Sequence, residues 1–475
     1  MGKFRLRYAP SPTGYLHIGN TRTALMNYLF AKHYNGDFIL RIEDTDIERN
    51  VDGAIDSQFD NMKWLGILPD ESFRNPKKDF GKYMQSEKFE VYQNYANILL
   101  KQGKAYKCYC TSEELEKDRE MQLAKGIIAP QYNRKCLSNK NNDETKPFNI
   151  RFKVPDNKLY RINDLVRGNV EFNSKEIGDF VILKSNGIAT YNFAVVIDDY
   201  DMKITHVARG EEHISNTPRQ CMIYEAFGWQ EPLFCHLTLI VDETKKKLSK
   251  RSGNAMFFIS QYKEQGYLPE AIFNYISLLG WSPNSEQEIF SKEELIKVFD
   301  EKRFSKSPST FDMIKMKWIN SQWIKKISDD DYIKFVINFI DENKFEIKNK
   351  KDNWIRSVLL LFKKELEFAS QINDHLDIFF NKKIDDKTKN ILAEFNIKKD
   401  LIVFLEDELK KIVEFNEENI KALINSIGKK FELKGRDLFM PVRIFTTLSE
   451  HGPELAKTIS LIGKEQVILN INSIK

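Results

Sequence analysis

Residues 4–20 read FRLRYAPSPTGYLHIGN, and this stretch decides the fold of the N-terminal region. Residues 4–9 are typical of a β-strand, and the prolines and glycine within 10–14 predict a turn. Apolar side chains within 24–29 then fall on one helical face, and residues 38–42 resume as a second buried strand. A strand, a glycine-containing turn, a helix and a strand predict a parallel pair with a right-handed crossover. We therefore expect an α/β fold.

The overall composition fits a large folded protein. At about 150 residues per domain, the 475 residues correspond to roughly three domains. Hydrophobic residues make up 41% of the chain, with only 21 glycines and 14 prolines, which excludes a collagen-like or disordered chain. No apolar run is long enough to cross a membrane, so we expect a cytoplasmic protein without a membrane partner. With 73 Lys and Arg against 69 Asp and Glu, any nucleic-acid surface has to be a local patch.

Other stretches predict how the chain is organised further on. Residues 180–183 and 191–197 have the composition of strands, and residues 239–241 are expected to form a last strand of the sheet. From about residue 320, glycine and proline become rare and apolar residues recur at helical spacing, as in 355–362. The last third of the chain is therefore predicted to be all-helical.

The turn before the first helix has the properties of a phosphate site. The segment from Gly14 to Thr21 is one residue short of a P-loop, with Asn20 in place of the lysine that reaches the β- and γ-phosphates, which disfavours a P-loop NTPase. His17 and Gly19 stand at the predicted helix start, where unpaired N–H groups and the helix dipole favour a phosphate. A histidine in this position is by itself more often a helix cap or a packed side chain than a catalytic group.

Two segments resemble a known family. Residues 7–20, RYAPSPTGYLHIGN, resemble the first signature of class I aminoacyl-tRNA synthetases in the form found in glutamyl-tRNA synthetases, with Asn20 in place of the final histidine of His-Ile-Gly-His. Residues 247–251, KLSKR, resemble the second signature, Lys-Met-Ser-Lys-Ser. A lysine run is by itself more often a solvated surface, but two signatures in the right order favour the family. The resemblance covers nearly the whole chain and is strongest in 1–325.

This resemblance implies a Rossmann-like parallel-sheet catalytic domain with an inserted domain that binds the tRNA acceptor stem. The implied boundaries are 1–105 and 190–245 for the split catalytic domain, 106–189 for the insertion, 246–325 for a stem-contact domain that carries the lysine loop, and 326–475 for an all-α anticodon-binding region. The implied reaction joins L-glutamate to tRNA(Glu) through glutamyl-adenylate, with ATP as substrate and Mg²⁺ on its phosphates.

The resemblance also assigns site residues. Those implied for catalysis are His17, Gly19, Lys247 and Lys250, of which Lys250 is expected to follow the charge that grows on pyrophosphate. Those implied for ATP binding are Thr13, Gly14, His17, Gly19, Asn20 and Lys250. Those implied for glutamate binding are Arg7, Ala9, Ser11, Glu43, Tyr191 and Arg209. A substrate with one ammonium and two carboxylates needs an acid and an arginine that grips a carboxylate, so this last set is chemically sensible.

For two of these residues, a purely structural role is the alternative to ligand binding. Taken alone, Glu43 at a strand end is more often a helix cap or part of a surface cluster. Arg209 has Glu211 and Glu212 nearby in the sequence, which offers a structural ion pair in place of a ligand. The position of each side chain relative to a cavity decides between these interpretations.

Three of the five cysteines form a pattern of their own. Cys108, Cys110 and Cys136, together with Tyr132, resemble the zinc-binding pattern of some glutamyl-tRNA synthetases. Zinc prefers thiolate ligands, but the Cys-x-Cys spacing is tighter than is common and tyrosine is an unusual fourth ligand. The sequence therefore leaves two interpretations open, which are one structural Zn²⁺ and buried thiols without a metal.

The remaining expectations concern the RNA partner. Arg443 is the tail residue expected to contact anticodon bases. A glutaminyl-tRNA synthetase is disfavoured because its first signature begins Pro-Glu-Pro-Asn-Gly, whereas residues 10–14 read Pro-Ser-Pro-Thr-Gly. A truncated relative that glutamylates a modified tRNA base is disfavoured by the helical tail. A P-loop NTPase or a non-catalytic RNA-binding protein would require Asn20 or the lysine loop to be incidental. Charging of tRNA(Gln) as well as tRNA(Glu) stays open, and the expected assembly is a monomer.

Overall fold

The computed structural model describes residues 3–138, 145–249, 256–380, 383–395 and 399–474. The chain divides into two compact units. The first unit contains Met1–Gln261 and Ile272–Met313, and the second contains Tyr262–Ala271 and Ile314–Lys475.

The helices and strands follow one another in a mixed order at first and as helices alone later. Up to residue 310 they are β1 (Arg5–Tyr8), α1 (Ile18–His33), β2 (Asp37–Leu40), α2 (Ala54–Trp64), α3 (Phe89–Lys101), β3 (Ala105–Cys108), α4 (Ser112–Ala124), α5 (Lys135–Ser138), β4 (Asn149–Phe152), β5 (Leu159–Asp164), β6 (Gly168–Asn173), β7 (Phe180–Leu183), α6 (Tyr191–Asp201), β8 (His206–Gly210), α7 (Thr217–Phe227), β9 (Leu233–Leu237), β10 (Ile240–Val241), α8 (Ile259–Gln265), α9 (Pro269–Ser277), α10 (Lys292–Val298) and β11 (Ser309–Thr310). The later helices are α11 (Met313–Lys326), α12 (Asp329–Val336), α13 (Asp352–Phe362), α14 (Ile372–Leu376), α15 (Asp386–Ala393), α16 (Lys399–Lys411), α17 (Glu417–Lys430), α18 (Gly435–Thr447), α19 (Leu455–Ile462) and α20 (Lys464–Ile474). Short 3₁₀ turns lie between these elements, among them Gln85–Glu87 and Glu211–Asn216.

A four-stranded parallel sheet forms the centre of the first unit, in the strand order β2-β1-β8-β9. Leu6 of β1 lies opposite His206 of β8. Helix α1 connects β1 to β2, and this connection ends at Gly36, where any Cβ would collide with the carbonyl oxygen of Phe4. The predicted parallel pair at the N-terminus is therefore confirmed.

Two predicted strands differ from the structure. Residues 191–197, predicted as a strand, form the first part of helix α6, and the side chains from Phe193 to Asp199 are buried. A helix that is covered on nearly all sides has no polar face, so its apolar and β-branched residues look like a buried strand in the sequence. Residues 240–241 do form a strand, but β10 pairs with β11 in a separate two-stranded sheet. The last strand of the main sheet is β9.

The chain between β2 and β8 carries additional antiparallel strands. β3, β4 and β7 form one sheet, and β5 pairs with β6 in a hairpin. This hairpin lies beside the main sheet, because Leu165 N donates to Phe234 O of β9 at 2.9 Å. One hydrophobic cluster extends from Phe152 and Ile182 of the additional sheet to Phe193 of α6. The insertion and the main sheet therefore share a core.

The second unit consists of helices. In the described residues from 314 to 474 the structure contains helices and no strand, which confirms the all-helical prediction for the tail. The predicted stripe of α13 buries Val358, Leu359 and Phe362. Helices α16 to α20 enclose a core cluster of their own that runs from Leu401 to Ile471. In the parts of the chain that the structure describes, no helix has both the length and the apolar character of a membrane span.

Candidate active site

A large cavity lies at the carboxyl ends of β1, β2 and β8, where open α/β sheets bind their ligands. Its volume is about 1050 Å³, enough for a ligand of nucleotide size. We call it the central cavity, and its walls include the predicted residues Arg7, Ala9, Ser11, Thr13, Gly14, His17, Gly19, Asn20, Glu43, Tyr191, Arg209 and Lys247. The structure therefore brings together all the predicted ATP, glutamate and catalytic residues that fall within its described ranges.

Arg7 is buried near the end of β1 and pairs with Asp199 of α6. Its Nε and Nη2 atoms donate to the two carboxylate oxygens at 2.9 and 3.2 Å. Asp199 also accepts from Arg41 at 2.7 Å. Burial raises the pKa of Asp199, but Arg7 and Arg41 outweigh this effect and hold the pKa below its usual value. The charge of Arg7 is therefore largely compensated before any ligand binds.

Glu43 follows β2 and lines the central cavity with 7% of its surface exposed. Its carboxylate accepts from Arg41 Nη2 at 2.9 Å. Burial raises the pKa of Glu43, and Arg41 only partly offsets this effect. The alternative of a surface charge is therefore wrong. A cation that arrives with a ligand would stabilise the charged form of this carboxylate, which makes Glu43 a suitable partner for an ammonium group.

Arg209 is buried near the end of β8. Its Nε donates to His236 Nε2 at 3.2 Å. Its Nη1 donates to Tyr191 Oη at 3.4 Å, and its Nη2 donates to Thr217 Oγ1 at 2.8 Å. These bonds use three of the five N–H groups of the guanidinium, so two stay available for a ligand.

The acidic neighbours of Arg209 in the sequence have other partners. Glu211 pairs with Arg167 and accepts from Leu239 N at 2.8 Å. Glu212 lies 3.5 Å from Lys247 Nζ. Within the described ranges, no acidic side chain forms an ion pair with Arg209. Arg209 is therefore a buried cation on the cavity wall whose charge is not compensated by an acid of the described residues.

The start of helix α1 forms another part of the cavity wall. His17 is its N-cap, because His17 Nδ1 accepts from Asn20 N at 3.3 Å, and its ring stacks on Phe257 with 4.7 Å between centroids. A Cβ at Gly19 would lie 3.2 Å from His17 Cε1, so glycine keeps this corner open. The first turn of α1 contains no acidic residue. Ile18 N donates to Phe257 O at 3.1 Å, so it is mainly the helix dipole that favours an anion here, and His17 acts as a cap while lining the cavity.

The first residues of the lysine loop complete the wall. Leu248 N donates to Ile240 O at 3.0 Å, which holds this part of the loop against β10. Lys247 is exposed and lines the central cavity. Lys250, the residue expected to act on pyrophosphate, lies outside the described residues.

The three cysteines of the insertion meet in one cluster with Tyr132. Their Sγ atoms all lie within 4.8 Å of one another. Tyr132 Oη lies 3.5 Å from Cys108 Sγ and 3.4 Å from Cys110 Sγ, and it accepts from Cys136 N at 3.0 Å. Burial raises the pKa of Cys108, but hydrogen bonds from Tyr132 and Arg151 outweigh it and lower the pKa, whereas burial raises the pKa of Cys110 to about 12. Thiolates around a tetrahedral zinc at about 2.3 Å stand about 3.8 Å apart, so the cluster fits this ion.

Arg443 lies in α18 of the second unit and is partly buried. Its Nη2 donates to Pro453 O at 2.8 Å, whereas its buried Nη1 has no partner among the described atoms. The side chain thus holds the loop after α18, and its contact with anticodon bases stays a prediction.

Some residues around the central cavity were not found from the sequence. The sequence contains a signal for Asp199, which is the second of two adjacent acids at the end of an apolar run, but its partner Arg7 is distant in the chain. The sequence contains no such signal for Thr217 and His236, because the role of each depends on Arg209 lying beside it in the fold.

Family models match most of the chain. The model described as "tRNA synthetases class I (E and Q), catalytic domain" matches residues 3–318, and the model described as "Anticodon binding domain" matches residues 330–474. These matches agree with the Rossmann-like parallel sheet of the first unit and the helices of the second.

Full-length relatives carry a more specific description. The glutamate–tRNA ligase of Mycoplasma capricolum subsp. capricolum is 64% identical over 480 residues, which cover 99% of both chains. That of Geobacillus stearothermophilus is 50% identical and covers 98% of this chain and 97% of its own. A crystal structure of a glutamate tRNA ligase from Elizabethkingia meningosepticum, in complex with its amino acid, superposes with a TM-score of 0.91 at 35% identity and covers 100% of this chain and 99% of its own. The fold, the cavity residues and the full-length similarity agree, and the chain belongs to the glutamate–tRNA ligase family of class I aminoacyl-tRNA synthetases.

Proposed function

We propose that this chain ligates L-glutamate to tRNA(Glu) in two steps, through glutamyl-adenylate. One observation carries the proposal. Arg209, a buried cation with no acidic partner among the described residues, lines the same cavity as the start of α1, which favours phosphate. This arrangement suits an amino acid with a side-chain carboxylate together with a nucleoside triphosphate. ATP enters this site with Mg²⁺ on its phosphates.

In the first step, an oxygen of the glutamate α-carboxylate attacks the α-phosphorus of ATP. A new O–P bond forms, the bond to the β-phosphate breaks, and pyrophosphate leaves. His17 caps α1 and Gly19 lies in its first turn, where the helix dipole stabilises negative charge, and Lys247 and Lys250 supply positive charge for the leaving group. Since little covalent chemistry is required of the protein, the positions of these groups determine the rate.

In the second step, a hydroxyl of the 3′-terminal ribose of tRNA attacks the glutamyl carbonyl carbon. The new ester bond forms while the bond between the carbonyl carbon and the phosphate oxygen breaks, AMP leaves with that oxygen, and the hydroxyl proton passes to the departing phosphate. Lys184 and Ile188 of the chain between β2 and β8 line the central cavity, so a tRNA acceptor end bound to this insertion would lie next to it.

We propose that the charged residues of the glutamate pocket bind different groups of the substrate. Arg209 and Tyr191 bind the side-chain carboxylate, and Glu43 binds the ammonium group. Arg7 contributes hydrogen-bond donors, with its charge already balanced by Asp199. The amide of glutamine would turn its N–H groups toward the N–H groups of Arg209, which disfavours glutamine as a substrate.

The RNA partner is proposed to bind along both parts of the chain. The residues matched by the anticodon-binding model lie in the second unit, and the predicted contact of Arg443 with an anticodon base belongs there. A tRNA substrate supports the cytoplasmic location expected from the sequence. The predicted monomer needs no partner chain for the central cavity, because one chain supplies the predicted residues on its wall.

We also propose one structural Zn²⁺ in the insertion. Cys108, Cys110 and Cys136 would supply three thiolates and Tyr132 the fourth group. The ion would cross-link the strand β3 to the segment that contains α5, and it would take no part in the reaction.

Amino-acid-dependent exchange of pyrophosphate into ATP tests the function. We expect exchange with glutamate in the presence of tRNA and little with glutamine or aspartate. Charging assays with tRNA(Glu) and tRNA(Gln) then define the RNA substrate. Exchange that is fastest with another amino acid, or that occurs without any amino acid, would contradict the proposal.

A further inference from the structure

A row of buried side chains joins the β5–β6 hairpin to the proposed glutamate pocket. Asp164, the last residue of β5, has its Oδ2 atom 2.6 Å from His236 Nδ1, and His236 Nε2 lies 3.2 Å from Arg209 Nε. Asp164 is 2% exposed and His236 is 0% exposed. The proposed reaction gives neither residue a role, although a buried aspartate and a buried histidine are costly unless both are paired.

The chemistry of Arg209 fixes the direction of these bonds. A guanidinium can only donate, so His236 Nε2 has to be the acceptor and Nδ1 carries the ring proton. Asp164 Oδ2 accepts that proton. Burial lowers the pKa of His236 and Asp164 opposes this effect, with a net shift below the usual value, which keeps the ring neutral. A protonated ring would turn an N–H group toward Arg209.

Asp164 is in turn held by the main chain. Its Oδ1 accepts from Val166 N at 2.9 Å and from Arg167 N at 2.8 Å. Its Oδ2 also accepts from His236 N at 3.1 Å. Because both oxygens are occupied, the carboxylate cannot rotate without losing bonds, and the imidazole ring bonded to it is fixed as well.

The row ends in a triangle at the guanidinium. Thr217 Oγ1 lies 3.1 Å from His236 Nε2 and accepts from Arg209 Nη2 at 2.8 Å. The edge of the guanidinium formed by Nε and Nη2 is therefore set by His236 and Thr217, and the orientation of the plane decides where the two remaining N–H groups point.

We infer that His236 is a positioning residue for substrate selection: it fixes the guanidinium plane of Arg209 so that its free N–H groups meet the side-chain carboxylate of glutamate, and Asp164 sets the tautomer that allows this. The inference rests on the proposed function, because it requires Arg209 to bind glutamate.

Two substitutions of His236 distinguish the roles of its two ring nitrogens. The amide of His236→Asn can place its N–H near the position of Nδ1 and still donate to Asp164, but Arg209 Nε then loses the acceptor that His236 Nε2 provided. The longer amide of His236→Gln can place its oxygen near the position of Nε2 and accept from Arg209. We expect His236→Asn to raise the KM for glutamate about tenfold or more, because a bond to a charged group is lost. We expect His236→Gln to stay within about threefold of the unchanged protein, and the KM for ATP to change little in both variants.

A third variant tests the tautomer. Both oxygens of Asp164 accept N–H groups, so the NH₂ group of Asp164→Asn has to face another donor. The ring can relieve this conflict with Nδ1 by moving its proton to Nε2, but the Nε2–H group then faces the N–H of Arg209. We expect Asp164→Asn to raise the KM for glutamate as His236→Asn does, with glutamine discrimination reduced. This variant also carries the test if His236→Asn does not fold.

The assay is pyrophosphate exchange with the full chain in the presence of tRNA, with thermal unfolding measured on the same samples. Equal glutamate KM values for His236→Asn and His236→Gln would overturn the inference. A parallel rise in the KM values for glutamate and ATP, together with a lowered unfolding temperature, would also overturn it, because that result is expected if His236 only stabilises the core. Arg209→Ala in the same assay separates the failures: if it leaves the glutamate KM unchanged, the proposed glutamate site is wrong and the inference falls with it.

Discussion

Arg7 and Arg209 stand on neighbouring strands and line the same cavity, but their charges meet different surroundings. Arg7 faces the carboxylate of Asp199 at 2.9 Å, whereas the partners of Arg209 are the neutral side chains of His236, Tyr191 and Thr217. A buried cation attracts an anion more strongly when no acid already neutralises it. We therefore expect the selectivity for a side-chain carboxylate to depend mainly on Arg209.

Replacing Arg209 by alanine should remove most of the activity with glutamate. A desolvated substrate carboxylate would lose its charged partner, which costs on the order of 2–5 kcal/mol. We expect kcat/KM for glutamate to collapse while ATP still binds in the absence of the amino acid. The matched control is Arg119→Ala, which truncates an exposed arginine of α4. Unchanged preference for glutamate over glutamine in Arg209→Ala would refute this assignment.

Lys250 and Lys246 provide a comparison within the lysine run. Charge on the leaving pyrophosphate grows mainly in the transition state, so Lys250→Ala should lower kcat for adenylate formation about 100-fold or more with little change in the KM for glutamate. Lys246 is exposed and its main-chain N–H donates to Asp242, so Lys246→Ala should change little. Equal rates for the two variants would remove Lys250 from the mechanism.

Glu71 makes the stability of the first unit sensitive to acid. Its fully buried carboxylate accepts from Arg5, from Lys77 at 2.7 Å and from Tyr83 at 2.8 Å. Burial raises the pKa of Glu71, but these donors outweigh it and lower the pKa to about 2. Since the folded pKa lies below the unfolded value of about 4.3, the stabilisation is complete above that pH and is lost as the pH falls toward the folded pKa.

Glu71→Gln should remove this pH dependence because the amide does not titrate in that range. Between about pH 6 and about pH 3.5 the unchanged protein should lose about 1 kcal/mol of unfolding free energy through this group, and about 3 kcal/mol toward pH 2. Urea unfolding at both pH values measures the difference. If the variant and the unchanged protein lose the same unfolding free energy, another carboxylate is responsible.

At the scale of the elements, the N-terminal strands and helix were predicted correctly because strand, turn and helix signals follow one another locally. Helix α6 was predicted as a strand because both of its sides are covered, which removes the polar face that marks a helix. The bonds from Arg7 to Asp199 and from Asp164 to His236 join residues far apart in the chain. Such pairs depend on the completed fold, so the members of the pocket could be identified from signatures but not the partners that orient them.

The thiol cluster offers a test at the scale of one element. If it binds zinc, the purified protein should carry about one zinc per chain, and Cys108→Ser should lose the metal and destabilise the insertion while the main sheet stays folded. Cys221→Ser is the matched control, because Cys221 is a buried thiol of α7 outside the cluster. Elemental analysis that finds no metal in protein prepared without chelator would leave the cluster as buried thiols.

At the scale of the whole molecule, helices α16 to α20 are a part of the tail whose removal tests its role. Their buried core residues follow the described segment ending at Phe395, although Leu392 packs against them and Trp354 donates to Leu461 O at 2.8 Å. A chain that ends at Phe395 should keep pyrophosphate exchange with an unchanged KM for ATP. Its kcat/KM for tRNA should fall at least about tenfold, together with its dependence on the anticodon, because phosphate and base contacts are spread over a wide surface. Undiminished tRNA charging would show that these helices serve only as a scaffold.

The order of strands in the main sheet also has a consequence for synthesis on the ribosome. Strand β1 pairs on one side with β2, which follows soon after, but its other neighbour β8 is 200 residues away, since Leu6 lies opposite His206. At about 5–20 residues per second, the ribosome needs about 10–40 s to translate the intervening chain. During that time the open edge of β1 presents unpaired N–H and C=O groups to other nascent chains. We therefore expect the nascent N-terminal segment to depend on chaperones until β8 emerges from the ribosome and pairs with β1.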